Sequence, residues 1–184
     1  DAPGCALAAA RTMAARLGAL FGIEVIVTCG SDEKCAAALD AGAAHAINYN
    51  SADFVEVTRR LTGDKGVAVV LDMVGGDYVP RNLAALADDG RHVSIAFQRG
   101  ATAEVPIADI VRRRLTLTGS TLRARNVLFK TMVTDEIART VWPYVEGNRL
   151  KPVIDSVFPL AEAAAAHSRI DSGDHIGKIV LEVG

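Results

Sequence analysis

The stretch Glu24–Lys34, EVIVTCGSDEK, holds the residue types best suited to chemistry in this chain. An apolar strand runs into Cys29 and Gly30, and a helix opens at Ser31 with Lys34 three residues on. In a doubly wound dinucleotide-binding sheet the end of the second strand meets the adenosine ribose, and a carboxylate there would hydrogen-bond both ribose hydroxyls of NAD. Cys29 and Gly30 offer none. Ser31 can present its hydroxyl and helix-start N–H groups to an anion, and Lys34 adds a positive charge one turn later, a set suited to the 2′-phosphate of NADP. The same residues also suit an ordinary helix start, with Ser31 as N-cap, Asp32 and Glu33 balancing the helix dipole and Lys34 solvated.

No protein acid or base stands out, and no catalytic residue is assigned. His45, His92, His167 and His175 stand in strand- or helix-like contexts without a Ser, Cys or Asp pattern for nucleophilic catalysis. Asp72 lies within an apolar run and reads as a structural carboxylate rather than a general base. Cys5, Cys29 and Cys35 are odd in number and lack C-x-x-C spacing, so neither a disulfide framework nor a zinc site is suggested, no metal ligands are named, and a reducing cytosol fits. The net charge is −2 and Arg112–Arg114 is the only basic cluster, which gives no electrostatic reason to propose nucleic acid or an anionic membrane as partner. No apolar run approaches the roughly 18 residues needed to span a bilayer, so a soluble, cytoplasmic protein is expected.

These groups need elements to position them. At 184 residues, half of them apolar, the chain can bury one good core, and a single domain over residues 1–184 is expected. Ala2–Ile23 shares Arg11, Arg16 and many alanines with import signals, but Met13, Leu17 and Leu20 or Phe21 fall on one helical face and Gly22 ends it. The strand Glu24–Cys29 is followed by a helix from Ser31 to Leu39 ending at Gly42, then by a short strand Ala44–Tyr49. Another helix, capped by Asn50 or Ser51, reaches Leu61 before a Gly63–Gly66 turn. Val67–Val74 is an almost continuous β-branched run, as in a parallel strand covered on both faces, and it ends in Gly75-Gly76. A helical stretch at Asn82–Ala87, a turn at Asp88-Asp89-Gly90 and the strand Arg91–Phe97 repeat the unit. Leu115–Leu122 is a further strand, Val127–Val145 a long helix stopped by Gly147, and Val153–Phe158 and Lys178–Val183 are later strands. Such alternation predicts a parallel α/β sheet.

From about Leu17 to Gly184 the sequence resembles the cofactor-binding half of a medium-chain dehydrogenase/reductase, of the zinc-free NADPH:quinone oxidoreductase branch. The resemblance rests on TCGSDEK, GAAHAINYNSADF, VVLDMVGGDY, RNLAALADDGRHVSIAFQRG, LTLTGSTLRAR and HIGKIVLEV, in family order. It implies a Rossmann-like, doubly wound, mostly parallel sheet, joined in the family to a separate N-terminal catalytic domain that this chain is expected to lack. It also implies NADP(H) as cofactor and hydride transfer to a quinone or related conjugated carbonyl. Ser31 and Lys34 resemble the family's 2′-phosphate contacts, and Tyr49 resembles a tyrosine whose hydroxyl joins them, although an edge aromatic packing its ring would look the same. Val74, Gly75 and Gly76 fall at the carboxyl end of the central strand, where small residues admit a cofactor or simply make a turn. Phe97 and Gln98 resemble the loop near the nicotinamide, whereas an isolated strand-end Phe is more often core. Leu122, Arg123 and Arg125 resemble a later cofactor-side loop or a solvated one.

One departure stands at the start. The family's first strand ends in a glycine-rich turn whose N–H groups hold the pyrophosphate, whereas here Gly4 is followed by Cys5-Ala6-Leu7-Ala8-Ala9-Ala10-Arg11. A sheet lacking its first strand and glycine-rich turn is therefore expected, either in a fragment with an altered opening or in a chain that has lost the parent reaction. Reduction of an enoyl thioester is a close alternative activity. A non-catalytic α/β binding or dimerisation module descended from such an enzyme is the alternative of a different class. The resemblance further implies a homodimer, with sheets joined through the Leu115–Leu122 strand.

Overall fold

Seven strands pair in parallel among the residues described by the computed structural model, 5–184, with side chains described from Thr12 onward. The first elements are α1 (Cys5–Leu20), β1 (Ile26–Cys29), α2 (Asp32–Asp40) and β2 (His45–Asn48). Then come α3 (Phe54–Leu61), β3 (Val67–Asp72), α4 (Tyr78–Ala85), β4 (Leu86–Ser94), α5 (Ile107–Arg113) and β5 (Thr116–Gly119). The chain closes with α6 (Val127–Thr140), α7 (Trp142–Glu146), β6 (Ile154–Pro159), α8 (Ala163–Asp171) and β7 (Lys178–Glu182). Two compact units result, one running to Asn50 and resuming over Thr131–Gly184, the other Ser51–Lys130. The architecture is the Rossmann-like α/β class with parallel strands.

In the first unit β1 pairs with β2, Ile26 opposite His45 through Cys29 opposite Asn48, and β6 pairs with β7. Its core is built from small side chains: Ala15, Val27, Cys29, Ala38, Ala41 and Ala43, with Val25, Cys35 and Ala46 against them. The helix expected ahead of Gly22 is α1. Ala15 is fully buried whereas Phe21 is exposed and meets Tyr144 edge-on at 5.9 Å, because an alanine surface brings helix and strand close where a large residue would hold them apart. Gly4, at the expected site of the glycine-rich turn, lies outside the described residues, as do the side chains of Cys5–Arg11. From Cys5 the backbone is helical, and among the described residues no strand precedes β1.

In the second unit β4 lies between β3 and β5. Leu83, Leu86 and Leu115 form its core, with Val67, Val70, Val79, Val105 and Ile110 packed on them. Several expectations change here. The cap of α3 is Asp53, not Asn50 or Ser51; its carboxylate accepts the N–H groups of Val55 and Glu56 at 2.7 and 3.3 Å, a stronger acceptor for helix-start donors than an amide or hydroxyl. Asp88-Asp89-Gly90 is an irregularity within β4, where the register jumps from Val67 opposite Leu86 to Val69 opposite Arg91. β4 ends at Ser94 rather than Phe97, and α4 begins at Tyr78 rather than near Asn82. β3 is not covered on both faces, since Val69 and Leu71 are exposed on a strand that edges its sheet.

The long helix expected to Val145 is interrupted at Val141, with α7 restarting around Pro143, whose missing N–H suits a helix's first turn and not its interior. The arginines of the basic cluster are all engaged locally. Arg112 meets Asp109, Arg113 donates to the carbonyls of Leu83 and Leu86, and Arg114 forms a two-pronged bond to Asp89 at 2.6 and 2.7 Å.

Candidate functional site

Where β1 ends, Gly30 leads into α2, and the Ser31 Oγ accepts the Lys34 N–H at 3.3 Å. Ser31 is thus the N-cap, but an oxygen that accepts one N–H keeps its own proton to donate, so capping and anion binding are compatible. In this structure that hydroxyl also meets Glu33, whose carboxyl is held below its ordinary value first by its own backbone N–H and then by Ser31. Lys34 is partly buried and its Nζ donates to the Gly173 carbonyl at 2.7 Å. Tyr49, just past β2, donates its N–H to Cys29 O at 3.0 Å. Its hydroxyl lies over Gly30 so closely that a Cβ there would sit 2.7 Å from Oη.

Two asparagines lace the strand ends together: Asn50 Nδ2 donates to Gly30 O at 2.8 Å and Asn48 Nδ2 to Asp32 Oδ1 at 2.7 Å. The Ser31 cap and the Tyr49 hydroxyl thus flank Gly30, while the Lys34 side chain leaves the same helix start for the Gly173 carbonyl. Sequence reasoning missed Asn48, Asn50 and Gly173. The amides flanking Tyr49 were the available signal for the first two, and no local signal marks Gly173.

The second unit gathers the remaining candidates at the carboxyl ends of its three parallel strands, the end at which doubly wound sheets bind ligands. Asp72 terminates β3 fully buried, and its carboxylate accepts the N–H groups of Val74 at 2.8 Å and Gly75 at 3.3 Å. His92 Nε2 stands 3.2 Å from Asp72 Oδ2, off the line of a good hydrogen bond. Burial alone would raise the Asp72 carboxyl; the His92 ring and the two N–H groups outweigh it and hold the carboxyl below its ordinary value. Asp72 is thus the structural carboxylate that shapes the turn after β3.

That turn packs against the loop after β4. Gly75 bridges Gly100, Gly76 N–H donates to Gly100 O at 3.0 Å, and Arg99 N–H donates to Val74 O at 2.8 Å. Gly75 has φ +70°, and a Cβ on it would fall 2.5 Å from Gly100 O, so the glycine is required by the neighbouring backbone. Val74, Gly75 and Gly76 are thereby brought together with Phe97 and Gln98. Phe97 is two-thirds exposed (66%), not a core residue. Leu122, Arg123 and Arg125 are exposed on the loop after β5, where Arg125 lies 4.7 Å over the Phe129 ring and Lys130 Nζ donates to Arg123 O at 3.3 Å.

Among the described residues, no three His, Cys, Asp or Glu side chains gather as a metal would require, and no helix is long and apolar enough to cross a membrane. His45 pairs with Glu24 at 3.4 Å, away from any nucleophile pattern.

The zinc-binding dehydrogenase family profile matches residues 41–181. The 2-haloacrylate reductase of Burkholderia sp is 34% identical over 165 residues, 88% of this chain and 48% of that protein. Quinone oxidoreductase-like protein 2 of Bos taurus is 32% identical over 164 residues, 87% of this chain and 46% of that protein. The crystal structure of Escherichia coli quinone oxidoreductase complexed with NADPH superposes with a TM-score of 0.78 at 28% identity, over 92% of this chain and 52% of that one. The chain spans about half the length of the curated relatives it matches.

Proposed function

The chain belongs to the zinc-binding dehydrogenase family, within the medium-chain dehydrogenase/reductase superfamily, and from that premise we propose that it is the cofactor-binding portion of an NADPH-dependent oxidoreductase. The proposed acceptor is a quinone or related conjugated carbonyl, with an enoyl thioester as the close variant. The observation that supports this reading is the placement of the Ser31 cap and the Tyr49 hydroxyl about Gly30, with Lys34 in the first turn of the same helix, where an NAD-type site would place a carboxylate. The Ser31 hydroxyl, the Tyr49 hydroxyl and the Lys34 ammonium are the proposed holders of the adenosine 2′-phosphate. Val74–Gly76 with Phe97 and Gln98, and the loop of Leu122, Arg123 and Arg125, are the proposed supports of the remainder of the cofactor.

When bound, the nicotinamide supplies the hydride, so the protein's part is to bind and orient, and no metal is assigned to the reaction. A homodimer through the β5 edge and a cytoplasmic setting complete the reading. The test is a titration of NADPH and NADH against the chain and its Lys34→Ala variant. NADPH should bind more tightly, and the variant should lose about tenfold for NADPH alone, the scale of one charge-assisted hydrogen bond. Equal losses for both cofactors would sink the assignment.

Asp32 and Glu33, two carboxylates in the same helical turn as Lys34, favour a second reading. In it the chain is a non-catalytic binding or dimerisation module descended from such an enzyme, which would show no preference for a 2′-phosphate.

A further inference from the structure

Lys34 is not a loose surface cation. Its Nζ donates to a carbonyl 139 positions away in sequence, that of Gly173, at 2.7 Å. Gly173 directly follows the cap of α8, with φ +71° and its N–H donating to Ile170 O at 3.0 Å. Its carbonyl lies one residue past that cap, outside the helix, and serves the ammonium as a single backbone acceptor. The loop carrying it is itself anchored. Ser172 Oγ donates to Arg169 O at 2.9 Å and accepts the Asp174 N–H at 3.4 Å. Asp155 accepts the Ile176 N–H at 2.9 Å and holds Arg169 with both carboxylate oxygens, at 3.0 and 3.1 Å.

An ammonium has three donors, and the Gly173 carbonyl occupies one of them. Two remain for an anion, on a side chain whose rotamer freedom is already restricted and which has correspondingly less to lose on binding.

We propose that the α8–β7 loop, acting through the Gly173 carbonyl, is a positioning element that holds Lys34 for the adenosine 2′-phosphate and so sets the discrimination between NADPH and NADH. The proposal rests on the reading of Ser31, Lys34 and Tyr49 as the 2′-phosphate contacts. Gly173 can be tested cleanly, because nothing lies within 4 Å of a Cβ built on it and only the left-handed backbone is at stake. Asparagine adopts that conformation readily; valine does not, and would turn the carbonyl away.

The experiment is calorimetric titration of the full chain with adenosine 2′,5′-bisphosphate and with 5′-AMP, which differ in the 2′-phosphate and need neither turnover nor a nicotinamide. The bisphosphate should bind at least tenfold more tightly. Gly173→Val should weaken the bisphosphate about fivefold and leave 5′-AMP unchanged, and Gly173→Asn should stay within twofold of the parent. In a Lys34→Met background Gly173→Val should add nothing. A measurement free of variants accompanies these: amide hydrogen exchange over residues 172–176 should slow with the bisphosphate and not with 5′-AMP, and it decides the matter if Gly173→Val does not fold.

Wild-type selectivity in a folded Gly173→Val, or loop exchange that is unchanged or faster, overturns the positioning role while leaving the 2′-phosphate site standing, provided Lys34→Met abolishes the preference. Equal binding of the two nucleotides, binding of neither, or a preference that survives Lys34→Met overturns the 2′-phosphate site and the loop proposal with it.

Discussion

Gly30 and Tyr49 act as a matched pair, since only a residue without a Cβ leaves room for the tyrosine hydroxyl beside the start of α2. Tyr49→Phe should weaken NADPH by roughly fivefold, the worth of about one hydrogen bond, and leave NADH unchanged. Gly30→Ala should do the same by displacing the ring, and parallel titrations of the two variants check both. Asp155 carries a different expectation. The Arg169 guanidinium, helped by the Ile176 N–H and Ser156 and opposed by burial, holds its carboxyl at about 2, against an ordinary value of 3.8. The depressed value favours the ionised form in the fold, so its stabilisation, about 2 kcal/mol, is complete above the ordinary value and is lost as pH falls toward 2. Asp155→Asn should therefore be less stable than the parent at pH 6 and converge on it near pH 2, as read by urea unfolding.

At this scale the Ser31 cap was legible because a serine ahead of a helical turn is a local signal, whereas the place of Tyr49 beside Gly30 depends on the pairing of β1 with β2 and was implied only by the resemblance. Asp72 was legible because a lone carboxylate in an apolar strand must find partners. Gly173 was not, because its role exists only once α8 and α2 are folded near one another.

Arg113 shows how the elements of the second unit are tied. It leaves the last turn of α5, is largely buried, and donates to Leu83 O at 3.0 Å in α4 and to Leu86 O at the start of β4. Arg113→Ala should cost about 2 kcal/mol, since two carbonyls lose a charged donor, while Arg112→Ala, which breaks only an exposed pair with Asp109, should change stability by less than about 0.5 kcal/mol. Urea midpoints of the two variants compare them directly. The strands were readable as apolar runs between turn residues, and β1, β2, β6 and β7 lie where those runs are. The boundaries moved where a local rule met a stronger partner. Asp53 displaced Asn50 and Ser51 as the cap of α3, and the Asp88–Gly90 segment, turn-like by composition, was drawn into β4 with Asp89 held at φ +60° by the Arg114 fork. Helix α5 escaped notice because its arginines read as a cluster of charge, whereas each is a side chain fixed to a particular acceptor.

For the molecule as a whole, hydride transfer requires nicotinamide and acceptor in near-attack geometry, and the matched relatives are about twice this chain's length. Tested alone, the 184-residue chain should oxidise NADPH no faster with added quinone than without; turnover at ordinary enzyme rates would refute this. Association is the other expectation. β5 edges its sheet with all four residues exposed, and the three arginines before it are engaged with Asp109, Asp88, Asp89 and backbone carbonyls, so they do not screen its outer side by these contacts. An unguarded edge offers its free N–H and C=O groups to another copy, and a two-fold pairing would close them off. Ser120 N–H points to Ser94 O in β4; backbone groups alternate sides along a strand, so Thr118 also faces β4 while Leu117 faces outward. A proline at Leu117 therefore removes an outward donor and spares the internal ladder, whereas one at Thr118 would damage the sheet itself. Sedimentation at micromolar concentration should show a dimer for the parent chain and a folded monomer for Leu117→Pro. A parent that sediments as a monomer removes the dimer, and a Leu117→Pro variant that still dimerises moves the interface away from β5.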